Sequence, residues 1–438
     1  MQNLRKIKSF IIYLANKNTV LSDFVRNFHS SEDSSSKTSV SGIQKAAMLI
    51  ADTIADKKKI LLFGDNDADG ICGAALGKAI IEDMGGRIDC ALSFKLRAEH
   101  GLSAEDVFKA ASAGVKLILT VDNGLDSLRA VQIARENGID VVITDHHQTP
   151  EDLPYATSIV TPFICPEDFP SQNLSGAAVL FYVLKETQKI LKDRNFFFKA
   201  PPKPELSYYM VLAAISTIAD GMPLDEINNE IISKGKDLVQ KKQCSEGIKY
   251  LTAQYSNHSK TFESCLWQIA RRIELPALFN YDSREMVDLL LTEYTTQAIL
   301  LNETLNELNI KKGVLTQKIL KTAYTLAAEQ NDDNVIVIEL PLLEIMIGGF
   351  VAQKVRKHFH KQLCIVFCRF KDMYIGYARA AKGLSLIKIF KTIKKIEPEL
   401  QFIYGGHKSA AGMRINERDL KKFSEILKNI PTLTVVQQ

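Results

Sequence analysis

The 438-residue sequence predicts an α/β protein with three parts: a parallel-sheet domain, a mainly helical connector and a smaller α/β domain. Buried-strand patterns alternate with helical stretches of about a dozen residues in the first half, which is typical of βαβ units and of a parallel sheet covered on both faces. The pattern becomes mainly helical from residue 176 to residue 330. Strand patterns return after Asn331 and indicate a separate small domain.

The elements follow from local patterns in order along the chain. In the first part, the expected strands are KKKILLFGD, IDCALSF, VKLILTVD and DVVITD, with TSIVTP as a further candidate. The helices expected between them are residues 71–84, AEDVFKAASA and SLRAVQIARENG. AAVLFYVLKETQKIL is amphipathic, and residues 284–329 hold one long helix or two. In the last part, the strands NVIVIEL, QLCIVFCRF and MYIGYARA precede a basic helix, LSLIKIFKTIKKI.

These patterns divide the chain into four segments. Residues 1–42 are expected to be a helical extension that ends in a Ser-rich linker, SSEDSSSKTSVSG. Residues 43–225 form the parallel-sheet domain, and residues 226–330 form a helical insertion and connector. The composition changes at EQNDDN, so residues 331–438 are assigned to the last domain.

Composition excludes several classes of protein. The formal net charge is only +4, so any nucleic-acid surface has to come from local clusters of Lys and Arg. The seven cysteines are scattered and form no CxxC pair, which argues against a disulfide scaffold or structural zinc and fits a reducing cytoplasm. The N-terminal stretch predicts a short helix rather than a signal peptide, and no apolar run approaches the roughly 20 residues that span a bilayer. We therefore expect a cytoplasmic protein with no membrane partner.

An acidic segment, DNDADG, directly follows the first strand. Asp65, Asp67 and Asp69 are spaced so that they would share one face of an extended chain. Three carboxylates in a sheltered site repel one another unless a cation lies between them. The alternatives are an Asp-rich turn or a fragment of an EF-hand, which would need a bidentate Glu about twelve residues from its first ligand.

Polar side chains also follow two later strands and one helix. Asp122 comes after LILTV, and Asp145, His146 and His147 come after VVIT. The carboxyl ends of parallel strands lie at one edge of the sheet, which is where ligands bind, so these side chains should lie close together there. Asp220 ends a long apolar helix, where a negative charge is unfavourable. Taken singly, each of these residues could equally be a cap or part of a turn.

The combination of side chains points to a particular class of metal. Carboxylates and imidazole without thiolate favour Mn²⁺ or Mg²⁺ over structural zinc. Several Asp residues in shared geometry suit two ions about 3.5–4 Å apart, one activating water and the other holding a phosphate. Such a site cleaves phosphoesters.

The order of these segments resembles the DHH phosphoesterases. DNDADG, VDNG, TDHH and IADGMPL are similar to the four motifs of that superfamily, and GGHKSAAG is similar to the signature of its DHH-associated C-terminal domain. Arg97 with His100-Gly101-Leu102, residues 174–179 (LSGAAV) and Leu301-Asn302 stand where RecJ-type members carry similar segments. The resemblance covers roughly residues 43–425. It implies an active site in the cleft between the DHH domain and the C-terminal domain.

The resemblance also implies a role for each site residue. The implied metal ligands are Asp65, Asp67, Asp69, Asp122, His146 and Asp220. Asp122 would bridge two ions, His147 would contact the substrate phosphate and leaving group, and Asp145 would orient the His pair. Arg97 and His100 would contact the substrate. The nucleophile would be a metal-bound hydroxide, so no Ser or Cys nucleophile is expected.

The C-terminal domain is expected to bind nucleotide phosphates. Gly405 and Gly406 would let a phosphate approach the backbone, and a helix beginning after GGHKSAAG would offer free N–H groups. His407 and Arg379 would grip the phosphates; the alternative is a plain strand-to-helix turn. Several basic residues could form a surface that binds successive phosphates of a nucleic-acid chain: Lys354, Arg356, Lys357, Lys388, Lys391, Lys394 and Lys395. The alternative is that these side chains are simply solvated.

The chain departs from the family at several points. Phe63 stands where some members carry a metal-ligating His, so Asp65 would have to serve that metal. Residues 280–284 keep only the Asn and Arg spacing of an NAxGR-like element. We expect no counterpart of the OB-type domain that bacterial RecJ enzymes add. The helical insertion resembles that of archaeal RecJ-like proteins and of the replication factor that docks onto GINS.

Three functional hypotheses follow. The first is a single-strand-specific exonuclease in DNA repair or replication that acts on DNA or RNA and releases nucleoside 5′-monophosphates. The second is an oligoribonuclease or cyclic-dinucleotide phosphodiesterase, which would use the same catalytic residues on very short substrates. The third is a replication-complex scaffold that binds GINS and has little activity.

Overall fold

The computed structural model describes residues 41–94, 101–197, 205–256, 259–330, 334–341, 345–370, 372–406 and 408–430. The expected N-terminal extension and linker therefore lie outside the described residues, apart from the last two positions. The segment boundaries at 225 and 330 stay predictions. Among the described helices, none has both the length and the hydropathy of a membrane-spanning segment.

The first sheet consists of five parallel strands in the order β2-β1-β3-β4-β5. The parallel sheet predicted from the sequence is confirmed, and TSIVTP does contain its fifth strand. The elements are α1 Gly42–Ala55, β1 Lys59–Gly64, α2 Ala68–Asp83, β2 Arg87–Leu92, α3 Ala104–Ser112, β3 Val115–Val121, α4 Leu128–Glu136, β4 Asp140–Thr144 and β5 Ser158–Val160. The chain passes from β1 to β2 on one side and then to β3 on the other, so the strand order reverses between β1 and β3. In open α/β sheets, that reversal opens a ligand-binding crevice at the carboxyl ends of the strands.

Alternation along the strands explains why helices cover both faces. In β1, Ile60 and Leu62 pack with α1 and α2, while Leu61 and Phe63 pack with α3 and α4 on the opposite face. Successive side chains of a strand point to opposite faces, so a continuous apolar run can only be buried between two layers of helices. Phe63 is consequently a core residue.

A mainly helical region follows the first sheet; its first two helices belong to the predicted parallel-sheet domain and the others to the predicted connector, residues 226–330. The region contains α5 Gly176–Asp193, α6 Met210–Ala219, α7 Glu226–Gln240, α8 Glu246–Ser256, α9 Phe262–Ile273, α10 Leu275–Leu278, α11 Arg284–Leu291 and α12 Thr295–Ala328. Residues 284–329 thus form two helices. The second, α12, has 34 residues, and is about 51 Å long at 1.5 Å per residue. Its first turns bury Ala298 and Leu305, and its last turns bury Ala323 and Ala327.

The last domain is built on a mixed sheet in the order β6-β7-β8-β10-β9. Its elements are β6 Val335–Leu340, α13 Gly348–His358, β7 Leu363–Phe370, β8 Met373–Ala380, α14 Leu386–Ile396, β9 Phe402–Gly406, β10 Ala410–Asn416 and α15 Glu417–Lys428. Only β6 and β7 pair in parallel, and the other pairs of the described strands in this sheet are antiparallel. Cys364 and Cys368 are buried in β7, as expected from the sequence.

The prediction that a helix begins after GGHKSAAG is wrong. Gly405 and Gly406 end β9, and Ala410 begins β10, so this segment is a hairpin between antiparallel strands. The reason is the period of two in AAGMRIN, which buries Ala411, Met413 and Ile415 on one face of the sheet. Gly406 has a φ of +128°, and a Cβ there would lie 2.6 Å from the Ala410 carbonyl oxygen. The hairpin therefore requires glycine at this position.

Candidate metal centre

The acidic residues lie at the carboxyl ends of β1, β3 and β4, at the crevice where the strand order reverses. One expectation about DNDADG is wrong: its three carboxylates do not share a face of an extended chain. Asp67 is the N-cap of α2 and accepts a hydrogen bond from Gly70 N, so Asp69 already lies in the first helical turn. The start of the helix separates Asp69 from Asp65 and Asp67 and directs them to different groups.

Among the described residues, three groups of side chains bring their ligand atoms within 4.8 Å of one another. They are Asp65, Asp67 and Asp122; Asp122, His146 and His147; and Asp69, His146 and Asp220. Every ligand predicted from the sequence falls into at least one group. Asp122 belongs to two of them, which is the placement that a bridging ligand requires. The assignment of these residues as ligands stays a prediction.

The chemistry of the donors around His146 fits a divalent cation. Its buried Nε2 lies 3.2 Å from Asp122 Oδ1, 3.4 Å from Asp220 Oδ2 and 3.6 Å from Asp69 Oδ2. Within the described part of the chain, no hydrogen-bond partner satisfies this nitrogen. A buried polar atom is rarely left unsatisfied. One imidazole nitrogen facing three carboxylates is a donor set that suits Mn²⁺ or Mg²⁺.

The electrostatics of the carboxylates support the same interpretation. Burial raises the pKa of Asp122 well above its ordinary value, and the negative charges of Asp69, Asp67, Asp65 and Asp145 add to the effect. Burial and then the charge of Asp69 likewise raise the pKa of Asp220. Without a cation, the ionised carboxylates of the cluster therefore repel one another. A bound divalent ion would remove that repulsion.

Asp145 holds the two histidines in place. Its Oδ1 accepts hydrogen bonds from His146 N at 2.7 Å, from His147 N at 3.1 Å and from His147 Nδ1 at 2.8 Å. Burial disfavours the ionised form of Asp145, but its hydrogen bonds and charge interaction with His147 prevail and lower its pKa. The hydrogen bond to Asp145 in turn raises the pKa of His147 to about 9. In the metal-free site His147 therefore holds its proton more firmly than a free imidazole does, and its side chain is 60% exposed.

Asp69 is fixed by donors that the sequence does not reveal. Its carboxylate accepts hydrogen bonds from Gly176 N at 2.7 Å, Ala177 N at 2.8 Å and Ser216 Oγ at 2.6 Å. The two amides belong to the first turn of α5, whose N–H groups have no partner within the helix and carry the positive end of the helix dipole. The LSGAAV segment was noted only as a family match, and no signal in the sequence pointed to Ser216. Oxygen Oδ2 of Asp69 remains directed toward His146.

Gly176 has to be glycine because α5 begins against the backbone of Asp122. A Cβ on Gly176 would lie 2.7 Å from Asp122 Cβ and 3.0 Å from Asp122 Cα.

We expect Gly176→Ala to lower the free energy of unfolding by about 1–3 kcal/mol, and to weaken Mn²⁺ binding. Thermal unfolding and isothermal calorimetry with Mn²⁺ measure the two effects. The matched control is Gly313→Ala in α12, where no atom lies within 4 Å of the added Cβ. Its melting temperature should be unchanged or higher.

The remaining predicted site residues precede α3 in the sequence or belong to the C-terminal domain. Arg97, His100 and His407 lie outside the described residues. Arg379 on β8 and Gly406 on β9 flank β10, where they pair with Ala410 and Ala411. The half-buried Arg379 guanidinium packs on Gly349, and burial lowers its pKa. One strand, β10, thus separates Arg379 from Gly405 and Gly406. Their position across a cleft from the carboxylates stays a prediction.

Comparison with known proteins places this geometry in a family. The family described as "DHH family, N-terminal domain" matches residues 59–213. The single-stranded-DNA-specific exonuclease RecJ of Dickeya dadantii is 30% identical over 393 residues, which cover 88% of this chain and 68% of that protein. The chain belongs to the RecJ family. RecJ of Escherichia coli is 29% identical over 395 residues with the same coverage.

Solved RecJ structures share the fold. RecJ of Thermus thermophilus in complex with Mn²⁺ matches with a TM-score of 0.73 and 25% identity, over 90% of this chain and 55% of that one. A second structure, exonuclease RecJ bound to manganese, matches with the same TM-score and identity over 96% of its length. The resemblance drawn from the four motifs is thereby confirmed. This RecJ-family chain spans the DHH domain, the connector and the mixed-sheet domain.

Proposed function

We propose that this chain is a metal-dependent exonuclease that hydrolyses single-stranded DNA, or RNA, and releases nucleoside 5′-monophosphates. One observation carries the proposal: Asp122 lies at the crevice between β1 and β3 and joins two groups of carboxylates and histidines. The named activity of the RecJ relatives is single-strand-specific exonuclease action. Hydrolysis of phosphodiesters is the chemistry that such a constellation supports.

Two ions, Mn²⁺ or Mg²⁺, would be held by Asp65, Asp67 and Asp122 on one side and by Asp69, His146, Asp220 and Asp122 on the other. Bound there, they would activate water and neutralise charge on the scissile phosphate. The protein contributes the fixed positions of these ligands. Asp69 is anchored by the first amides of α5, and His146 is oriented through Asp145.

His147 has a separate role in the proposed reaction. Its Nδ1 is occupied by Asp145, so its Nε2 is the atom left to face substrate. As a cation on the open side of the cluster, it can bind a phosphate oxygen and give a proton to the departing 3′ oxygen of the chain. Asp145 keeps the proton on Nδ1, so that the proton given to the leaving oxygen comes from Nε2.

The C-terminal domain would hold the strand through Arg379. We expect Arg379→Met to weaken binding of a single-stranded 20-mer about tenfold, because a guanidinium that contacts a phosphate is lost. The slope of log affinity against log salt should fall by about 0.7. The matched control is Arg369→Met on the neighbouring strand β7, where an exposed arginine pairs with Glu417. Equal binding by the two variants would remove Arg379 from the substrate site.

The experiment that tests the proposed function uses end-labelled single strands. The full chain is incubated with a 20-mer and with a dinucleotide in Mn²⁺ or Mg²⁺. Degradation of the 20-mer to mononucleotides supports the exonuclease, and comparison of 5′ and 3′ labels gives its direction. Cleavage of the dinucleotide alone replaces it with the short-substrate phosphodiesterase.

Binding of a GINS-like partner through the helical insertion, residues 226–330, or through the N-terminal extension stays a prediction from the resemblance. A pull-down with purified GINS and the full chain tests it. Absence of both nucleotide cleavage and metal-dependent DNA binding, together with GINS capture, would favour the scaffold hypothesis.

A further inference from the structure

The only tryptophan of the chain, Trp267, lies on the surface of α9. Its side chain is 53% exposed, although a ring of this size normally buries most of its area. Arg271 follows one helical turn later, and its guanidinium carbon lies 6.0 Å from the centre of the indole ring. An exposed Trp beside an Arg offers both a stacking face and a positive charge.

This pair is connected to the metal centre through Glu274. Arg271 Nη1 donates to Glu274 Oε2 at 2.7 Å. The other oxygen of Glu274 accepts from Ala68 N at 3.4 Å. Ala68 stands between Asp67 and Asp69, two of the residues assigned to the metal site. The side of α9 that carries Arg271 therefore lies beside the carboxylate loop.

Lys312 of α12 adds a second positive charge at the same place. Burial lowers the pKa of Lys312, the charge of Arg271 lowers it further, and Glu274 opposes both effects. Lys312 is therefore partly buried and lies within electrostatic reach of both Arg271 and Glu274. The three side chains together carry a net charge of +1, which attracts an anion such as a phosphate.

The neighbouring residue of α12, Lys311, also places a positive charge beside an aromatic ring. Lys311 Nζ lies 5.1 Å from the centre of the Phe279 ring. Phe279 stacks on Tyr281 with centroids 5.6 Å apart, and Tyr281 is 47% exposed. Basic side chains interleaved with aromatic rings are the feature that binds single-stranded nucleic acid without sequence preference.

We propose that Trp267, Arg271 and Lys312, here called the Trp267 platform, bind single-stranded nucleic acid beside the metal centre. A base stacks on the indole of Trp267, and the adjoining phosphate lies between Arg271 and Lys312. The proposal rests on the proposed nuclease function and names the surface that selects its substrate. In a duplex the faces of the bases are already stacked, so a platform of this kind prefers single strands.

Because Trp267 is the only tryptophan, its fluorescence reports directly on the platform. The full chain carrying Asp122→Asn, which should not cleave, is titrated with a 20-residue oligothymidylate in Mn²⁺. We expect saturable quenching, and no comparable quenching by a blunt duplex of the same length. Binding detected by anisotropy of labelled DNA without any change in Trp fluorescence would refute stacking on Trp267.

Substitutions test the charged part of the platform. Lys312→Met and Arg271→Met should each weaken binding of the oligothymidylate about tenfold and lower the salt slope by about 0.7. The matched control is Lys318→Met, an exposed lysine of the same helix on a different face. Affinity that is the same for Lys312→Met and Lys318→Met would overturn the proposal. Trp267→Phe, which keeps a ring, should bind better than Trp267→Ala.

The result can be separated from that for the nuclease itself. If the unsubstituted chain degrades the 20-mer while the platform variants bind normally, the exonuclease stands and the platform is wrong. If the unsubstituted chain neither binds nor degrades the 20-mer, both are wrong.

Discussion

Replacement of Asp122 by Asn is expected to reduce hydrolysis of single-stranded DNA by about a thousandfold or more. Asp122 is shared by two groups of ligand atoms, so its loss would disturb the sites of both ions. Metal stabilisation of the transition-state charge contributes several kcal/mol, and each 1.4 kcal/mol corresponds to about tenfold in rate. The measurement is the initial rate of release of mononucleotides from a labelled 20-mer at saturating Mn²⁺.

The same substitution should leave the metal-free fold intact. Asp122 adopts a φ of +61°, a left-handed conformation that Asn tolerates as well as Asp. The substitution also removes a buried carboxyl group, whose pKa is raised by burial and by the negative charges of its acidic neighbours. We therefore expect the metal-free variant to unfold at the same temperature as the unsubstituted chain or at a higher one. Mn²⁺ should raise the melting temperature of the unsubstituted chain much more than that of the variant. A variant that still cleaves at near-normal rates would exclude Asp122 as a bridging ligand.

Asp145→Asn is expected to lower the rate by about 10–100-fold, the usual effect of removing a charged group that orients metal-binding and catalytic histidines. The carboxylate accepts three hydrogen bonds, from two backbone amides and from His147 Nδ1. Asn can replace the shape but not the charge that keeps His147 protonated. The loss should fall mainly on kcat, because the groups that hold the strand elsewhere are unchanged.

Asp140→Asn provides the matched control for this prediction. Asp140 begins the same strand, β4, and is exposed, with Thr157 as its hydrogen-bond partner. We expect kcat and KM to stay within about twofold of the unsubstituted chain, as for most surface substitutions. A similar fall in kcat for Asp140→Asn and Asp145→Asn would show a general effect on the strand rather than orientation of the histidines.

The sequence predicted the carboxyl ends of the strands best. Each of Asp65, Asp122 and Asp145 follows a mainly apolar strand, and a parallel sheet places the ends of such strands at one edge. Asp220 is indicated by its unfavourable charge at a helix end and by the family resemblance, because a period along one helix cannot report what lies across the fold. The structure places it within reach of His146.

Long-range partners explain what the sequence could not predict. Ser216 and Asp69 are 147 positions apart, and nothing in ISTIAD distinguishes a serine that binds a carboxylate from one that packs in a helix. Trp267 and Arg271 are close in sequence, but their importance depends on Glu274 reaching the amide of Ala68. At GGHKSAAG the sequence predicts a helix start instead of a hairpin because glycines suit both kinds of turn. The period-two pattern that identifies the following strand begins only at Ala410.

Helix α12 has a mechanical consequence. Asn302 in its first turns accepts a hydrogen bond from Arg272 of α9, and Tyr324 in its last turns stacks on His358 of α13. Gly313 stands near the middle of the helix, with no atom within 4 Å of a Cβ at that position. Each half of the helix is about 25 Å long. A bend of about 10° at the centre of a lever arm of that length displaces its far end by about 4 Å, more than half the spacing between successive phosphates of an extended strand. A bend at Gly313 would therefore shift the last turns of α12 and, with them, the part of α13 on which Tyr324 stacks.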